Sequence, residues 1–199
     1  MEEILSEEEL NKLLQIQGEV RGVAFRSDAD FILHETGEQG LKRLEEAMAG
    51  IGQPIKYREI RPMDFYPLKL DTISLVVLKR LFHFDDERIQ ELGHYLAKVS
   101  VLLRLFMKYF VSLEKVAEEV PGMWRKHYTV GGLTVASLDK KNKEMIIRLE
   151  NFNPHELYCQ VFKGYFCSVM QMAVGKKPIC DETKCAFKND PYHEFTIKW

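Results

Sequence analysis

The sequence has no cysteine before residue 159, no strong excess of one charge and no apolar run long enough to cross a bilayer. With 28 basic and 30 acidic side chains the net charge is −2, which indicates neither nucleic acid nor an anionic membrane as a partner. The most apolar window, residues 99–113, is too short for a membrane span and contains Arg104 and Lys108. We therefore expect no nucleic-acid partner and no membrane span.

Signals for export are also lacking. The first ten residues read MEEILSEEEL, with neither a basic nor an apolar segment, and no Asn-x-Ser/Thr acceptor occurs. The simplest expectation is a cytoplasmic protein, in which free thiols or a metal site are favoured over a disulfide. No output segment follows Trp199, so we expect any signal to pass to a separate output protein or across a homodimer interface.

The composition, 46% apolar and 29% charged over 199 residues, is typical of one globular domain. Apolar spacing predicts several helices, one of them stopping near Pro121, and an extended segment at residues 55–60. A hairpin over about 128–150, a helix over about 153–175 and strands over about 178–187 and 192–199 follow. This order predicts an α+β fold with helices on one face of a small antiparallel sheet. We interpret residues 1–65 as an N-terminal helical elaboration of a core formed by residues 66–199.

All four cysteines lie in the last quarter of the chain, at Cys159, Cys167, Cys180 and Cys185. Cys159 and the pattern Glu182-x-x-Cys185-x7-His193 offer the ligand types that zinc prefers. Spacing alone leaves two interpretations open: a closed zinc site that joins a helix to the sheet, or a buried core cysteine with a histidine on a strand face. Because residues three apart on a strand point to opposite faces, Glu182 and Cys185 can converge only at a bulge.

The segment from Tyr158 to Trp199 resembles the C-terminal core of the 4-vinyl reductase-type domain family. That family has a helix with a Cys and a later Gly-Tyr, then a strand with Glu-x-x-Cys, then a last Cys before Phe. The matching positions are Cys159, Gly164-Tyr165, Glu182, Cys185 and His193, the last standing in place of a cysteine. The resemblance implies a structural zinc ion bound by Cys159, Glu182, Cys185 and His193, and it implies no ligand role for Cys167 or Cys180. The element order also looks like the wider superfamily of transport-complex (TRAPP) subunits and haem nitric-oxide sensors.

The same resemblance implies a cavity between the helices and the sheet, and a function in binding an aromatic or lipid-like molecule. The side chains that we expect to line it are Phe106, Phe110, Trp124, His127, Tyr128, Phe162, Phe166 and Met170. Aromatic and methionine side chains at helical spacing are equally typical of a filled core. The sequence therefore predicts a sensory or regulatory binding domain without deciding whether the cavity is open.

The chain has no G-x-S-x-G, H-E-x-x-H, phosphate-binding loop or dinucleotide fingerprint, so we expect no enzymatic activity. Two alternatives to the zinc-stabilised binding domain stay open. One is a haem-based gas sensor with His94 or His127 as axial ligand, although the Tyr-x-Ser-x-Arg signature of the haem nitric-oxide family is missing. The other is a TRAPP-like scaffold that acts through protein contacts.

Overall fold

The computed structural model describes residues 4–100 and 112–199. Over these ranges it contains six α-helices and six β-strands. The helices are α1 (Glu7–Leu14), α2 (Val23–Gly50), α3 (Leu68–Leu81), α4 (Asp86–Val99), α5 (Leu113–His127) and α6 (Leu157–Val174). The strands are β1 (Glu19–Arg21), β2 (Phe65–Pro67), β3 (Gly132–Asp139), β4 (Glu144–Glu150), β5 (Ile179–Lys184) and β6 (His193–Lys198). Within these ranges no helix is both long and apolar enough to cross a membrane.

Short polar side chains begin three of the helices. The Ser6 hydroxyl accepts the Glu9 amide of α1, the Asp85 carboxylate accepts the Arg88 amide of α4, and the Ser112 hydroxyl accepts the Lys115 amide of α5. Each satisfies an amide that has no partner within its helix. In the middle of α2, Gly37 adopts a φ of 70°, where glycine carries no steric penalty, and the helix kinks there.

Two local expectations differ from the structure. Residues Tyr57–Glu59 form a 3₁₀ turn instead of a strand, because Tyr57 turns into the core and its hydroxyl bonds to that of Ser74. Helix α5 continues through Pro121 to His127, although proline removes one helical hydrogen bond. Burial of Trp124, which is only 5% exposed, offsets that loss.

The predicted α+β class is confirmed. Strands β3, β4, β6 and β5 form an antiparallel sheet in that order, and β1 pairs with β2 in a separate two-stranded sheet. Met145, Ile147 and Leu149 alternate along β4 and are buried, so one face of the larger sheet belongs to the core. The division of the chain at residue 65 stays a prediction.

Helices α4 and α6 approach each other closely at two glycines. A Cβ atom at Gly164 would lie 1.9 Å from the Gln90 carbonyl oxygen, and one at Gly93 would lie 2.0 Å from the Val161 carbonyl oxygen. The two backbones can therefore touch only because neither residue has a side chain.

Candidate functional site

The structure brings Cys159, Glu182, Cys185 and His193 together at one end of the larger sheet. Cys159 lies in the first turn of α6, Glu182 and Cys185 lie at the end of β5 and just after it, and His193 begins β6. One ligand atom from each residue lies within 4.8 Å of those of the other three, a grouping that could hold a metal ion. The pairing of β5 with β6 shifts register between Glu182 and Lys184, which is the irregularity that the spacing requires.

Hydrogen bonds link the members of this group. The Cys159 Sγ lies 3.9 Å from the Cys185 Sγ and 3.7 Å from the His193 Nδ1, which is 3.0 Å from the Glu182 Oε1. On the other side of the ring, the His193 Nε2 lies 3.0 Å from the Asn153 Oδ1, within hydrogen-bonding distance. Sequence reasoning missed this role of Asn153, whose position before a proline resembles a helix cap. An outer hydrogen bond of this kind fixes the orientation of an imidazole.

The protonation of the group follows from burial and these contacts. Burial, together with hydrogen bonding to Glu182 and its charge, raises the pKa of the Cys159 thiol well above its usual range. Burial alone would raise the pKa of Glu182, but hydrogen bonds with His193, Cys159 and Cys185 lower it below its ordinary value. At neutral pH the arrangement is thus an ionised carboxylate surrounded by donors.

The second candidate site is an apolar cavity of about 170 Å³. Its wall is formed by side chains from β1, α2, α4, α5, α6 and the buried face of the sheet. Six of the side chains predicted to line a cavity lie in this wall: Trp124, His127, Tyr128, Phe162, Phe166 and Met170. Phe106 and Phe110 lie outside the described residues.

Aromatic packing shapes one side of the cavity. The rings of Trp124 and Tyr128 stack with centroids 4.4 Å apart, and Phe162 stacks on Phe166 at 5.6 Å. The edge of Phe152 packs against both Trp124 and Tyr128. The Trp124 Nε1 donates to the Val130 carbonyl oxygen over 3.0 Å, so the indole is held from two directions.

Among the described residues of the wall, the polar side chains are uncharged except for Arg21. Burial lowers the pKa of His127, helped by the charges of Arg21 and Lys126, and thus keeps the imidazole neutral at pH 7. Arg21 lies in the wall, but its guanidinium donates to the carbonyl oxygens of Lys126 and Met63. The other predicted axial histidine, His94, lies outside the wall and its Nδ1 is 2.8 Å from the Ser168 hydroxyl.

No protein-family model matches the chain, and no curated protein sequence matches it. Solved structures do match. An H-NOX protein from S. oneidensis in the Fe(II)NO ligation state is 13% identical, with a TM-score of 0.69 over 89% of this chain and 98% of that one. A mutant H-NOX protein from K. algicida, in the Fe(II) unliganded state, is 10% identical, with a TM-score of 0.64 over 89% and 95% of the chains. A structure solved to study how porphyrin distortion modulates heme redox potential is 13% identical, with a TM-score of 0.58 over 90% and 99%.

At these identities the matches establish the fold alone, which is that of H-NOX proteins. The predicted fold-level likeness to the haem nitric-oxide sensors is thus confirmed, whereas membership of the 4-vinyl reductase-type family stays a prediction. The prediction of a structural zinc cofactor is wrong on this comparison, because the matching structures reported above contain Fe(II) or heme. The four grouped side chains supply zinc-type ligands, but donor type and spacing do not identify a cofactor.

Proposed function

We propose that this chain is a small-molecule-binding sensory domain whose ligand occupies the apolar cavity. The observation that carries the proposal is the cavity itself, an aromatic and aliphatic wall with few polar groups around about 170 Å³. An engineered apolar cavity of about 150 Å³ in another protein stays dry and binds benzene. The volume thus suits a compact molecule of one or two rings, and the fold of H-NOX proteins supports a binding role over a catalytic one.

The cavity is tested by filling it. Ala173 lies in its wall on α6, and a phenylalanine there would occupy part of the space. We expect Ala173→Phe to weaken the binding of isopropylbenzene at least about 10-fold in calorimetric titration, because the displaced volume is comparable to the ligand's own. The matched control is Ala49→Phe, at an exposed position of α2, which should bind as the wild type does. Equal binding by wild type and both variants would place the ligand elsewhere.

Haem is the second candidate ligand, favoured by one observation besides the fold. His127 lies in the cavity wall, and burial keeps its imidazole neutral. The neutral imidazole is the form that coordinates iron. The cavity volume is less suitable for haem, since a porphyrin is several times larger than benzene. In addition, Arg21, the only charged side chain found in the described part of the wall, is already hydrogen-bonded. Haem would therefore need the wall to open.

Titration with haem distinguishes the two candidates. If haem is the ligand, we expect a stoichiometric Soret band that His127→Ala shifts or abolishes and that His94→Ala leaves in place. Binding of isopropylbenzene without such a band favours the small-molecule proposal. If neither ligand binds, a scaffold that acts through protein contacts becomes the better explanation.

For the group around His193 we propose a structural role that needs no catalysis. Its members come from α6, β5 and β6, so their hydrogen bonds fasten the helix to the last hairpin. We expect His193→Phe to destabilise the protein by about 2–4 kcal/mol in chemical denaturation, because Glu182 and Asn153 lose a buried partner. His34→Phe, at an exposed histidine, is the control and should change stability by less than about 0.5 kcal/mol. A stability for His193→Phe equal to that of the wild type would contradict this role.

A further inference from the structure

Two tyrosines in the cavity wall differ from the other tyrosines of the described chain. The hydroxyls of Tyr57, Tyr66, Tyr95, Tyr158 and Tyr192 each have a hydrogen-bond partner in the protein. Tyr128 and Tyr165 line the cavity, and their hydroxyls have no partner in residues 4–100 or 112–199. Both tyrosines are half-buried and line the cavity, so a ligand bound there would offer a partner to hydroxyls that no described residue pairs.

Both hydroxyls are hydrogen-bond donors at physiological pH. Burial raises the pKa of Tyr165 to about 12. Burial also raises the pKa of Tyr128 well above its usual value, and the charges of Asp71, Tyr165 and Asp28 add to this shift. Both side chains line the same cavity of about 170 Å³, so one ligand can contact both hydroxyls. An acceptor atom with two lone pairs can accept more than one hydrogen bond.

The charges around the cavity disfavour an anionic ligand. Burial raises the pKa of Asp71 only to about 6, so at pH 7 this acid carries a negative charge, which affects Tyr128 and would repel a carboxylate. Arg21 would attract one, but its guanidinium donates to two backbone carbonyl oxygens and would have to give up those bonds. The polar group of a ligand is therefore best uncharged.

We propose that Tyr128 and Tyr165 donate hydrogen bonds to the carbonyl oxygen of an uncharged aromatic ligand in the cavity. The inference rests on the proposed function and deepens it by naming the ligand's chemical class. The aromatic wall contacts the ring, and the two hydroxyls select the carbonyl over a hydrocarbon of the same shape. A carbonyl oxygen accepts two hydrogen bonds and has no hydrogen of its own to satisfy.

Three probes of equal heavy-atom count test this selection: acetophenone, isopropylbenzene and benzoate. We expect the wild type to bind acetophenone about 10-fold to 100-fold more tightly than isopropylbenzene in calorimetric titration, with each hydroxyl contributing about 3-fold to 10-fold. Benzoate should bind more weakly than acetophenone. Tyr128→Phe and Tyr165→Phe should each bind acetophenone about 3-fold to 10-fold more weakly than the wild type does. Both variants should keep the wild-type affinity for isopropylbenzene.

The control is Tyr192→Phe, at a hydroxyl that bonds to Lys184 outside the cavity, and it should bind all three probes as the wild type does. Equal binding of acetophenone and isopropylbenzene would overturn the inference while leaving the proposed function intact. Tightest binding of benzoate would also overturn it and would indicate Arg21 as the anchor. Binding of none of the three probes would overturn the proposed function, and the inference with it.

Discussion

At the scale of single residues, the most unusual feature is a pair of buried acids. Asp28 is 5% exposed and Asp71 is 4% exposed. The Asp71 Oδ2 accepts a hydrogen bond from the Tyr158 hydroxyl over 2.6 Å, whereas its Oδ1 has no partner among the described residues. Burial raises the pKa of both acids, to about 6 for Asp71, and the charge of Asp71 adds to the shift at Asp28. Such a pair retains protons that the unfolded chain would release.

This pair makes stability depend on pH in a defined direction. Because the folded pKa values are raised above the unfolded value of about 3.9, the folded state binds more protons. Its stabilising effect is complete below that value and is lost as the pH rises through about 6. We expect Asp71→Asn to flatten the fall in the free energy of unfolding between about pH 4 and 7 by about 1–3 kcal/mol, measured by urea denaturation across that range.

The control for this prediction is Asp30→Asn, at an exposed carboxylate on the same helix as Asp28. Its pH profile should follow that of the wild type. If Asp71→Asn and Asp30→Asn give the same profile, Asp71 does not titrate as its burial requires.

At the scale of elements, helices α4 and α6 form a close helix–helix crossing. Gly93 and Gly164 bring the helix backbones into contact, and hydrogen bonds flank the crossing, one between the Gln90 and Gln160 side chains and one between His94 and Ser168. Since α6 also contributes to the cavity wall and contains Cys159, its position determines the geometry of both candidate sites.

A methyl group at this crossing should therefore be costly. We expect Gly164→Ala to destabilise the protein by about 3 kcal/mol or more, because the new Cβ would lie 1.9 Å from a backbone oxygen that cannot rotate away. The measurement is the melting temperature, which should fall by about 6–12 °C for a domain of this size. Gly50→Ala meets no atom within 4 Å and should instead raise stability slightly, by about 0.5 kcal/mol or more. Equal melting temperatures for the two variants would mean that the helices are not in backbone contact.

At the scale of the whole molecule, a ligand in the cavity should stabilise the fold by mass action. The cavity wall includes side chains from eight secondary-structure elements and thus exists only in the folded protein. At about 100 times its dissociation constant, acetophenone should add about 2.7 kcal/mol of stability and raise the melting temperature by about 5–10 °C. The rise should increase with acetophenone concentration and be smaller in Ala173→Phe. A concentration-dependent rise of the same size in that variant would mean that the probe acts outside the cavity.

Native mass spectrometry of the same samples would report bound metal, bound organic ligand and oligomeric state together. The separate output protein, the homodimer and the cytoplasmic location stay predictions from the sequence.

Much of the fold could be predicted because its signals are local. The caps at Ser6, Asp85 and Ser112 act on amides three residues away, and the alternation along β4 depends only on which side chains avoid water. The grouping of Cys159 with the end of the last hairpin, and the bulge that it needs, came from motif spacing together with a family resemblance. The same resemblance led to the wrong cofactor, because similar donor sets are compatible with several metals or with none.

The sequence by itself determined the α+β order and the concentration of thiols and imidazole near the C-terminus. Only the tertiary structure decided that Asn153 orients His193, that Asp28 lies near Asp71, and that Tyr128 and Tyr165 share a cavity without partners among the described residues. Each of these depends on the packing of elements far apart in the chain, where burial changes protonation and removes water as a partner. The residue pattern along one element predicts which of its faces is buried, but it does not predict which side chain from a distant element packs against that face.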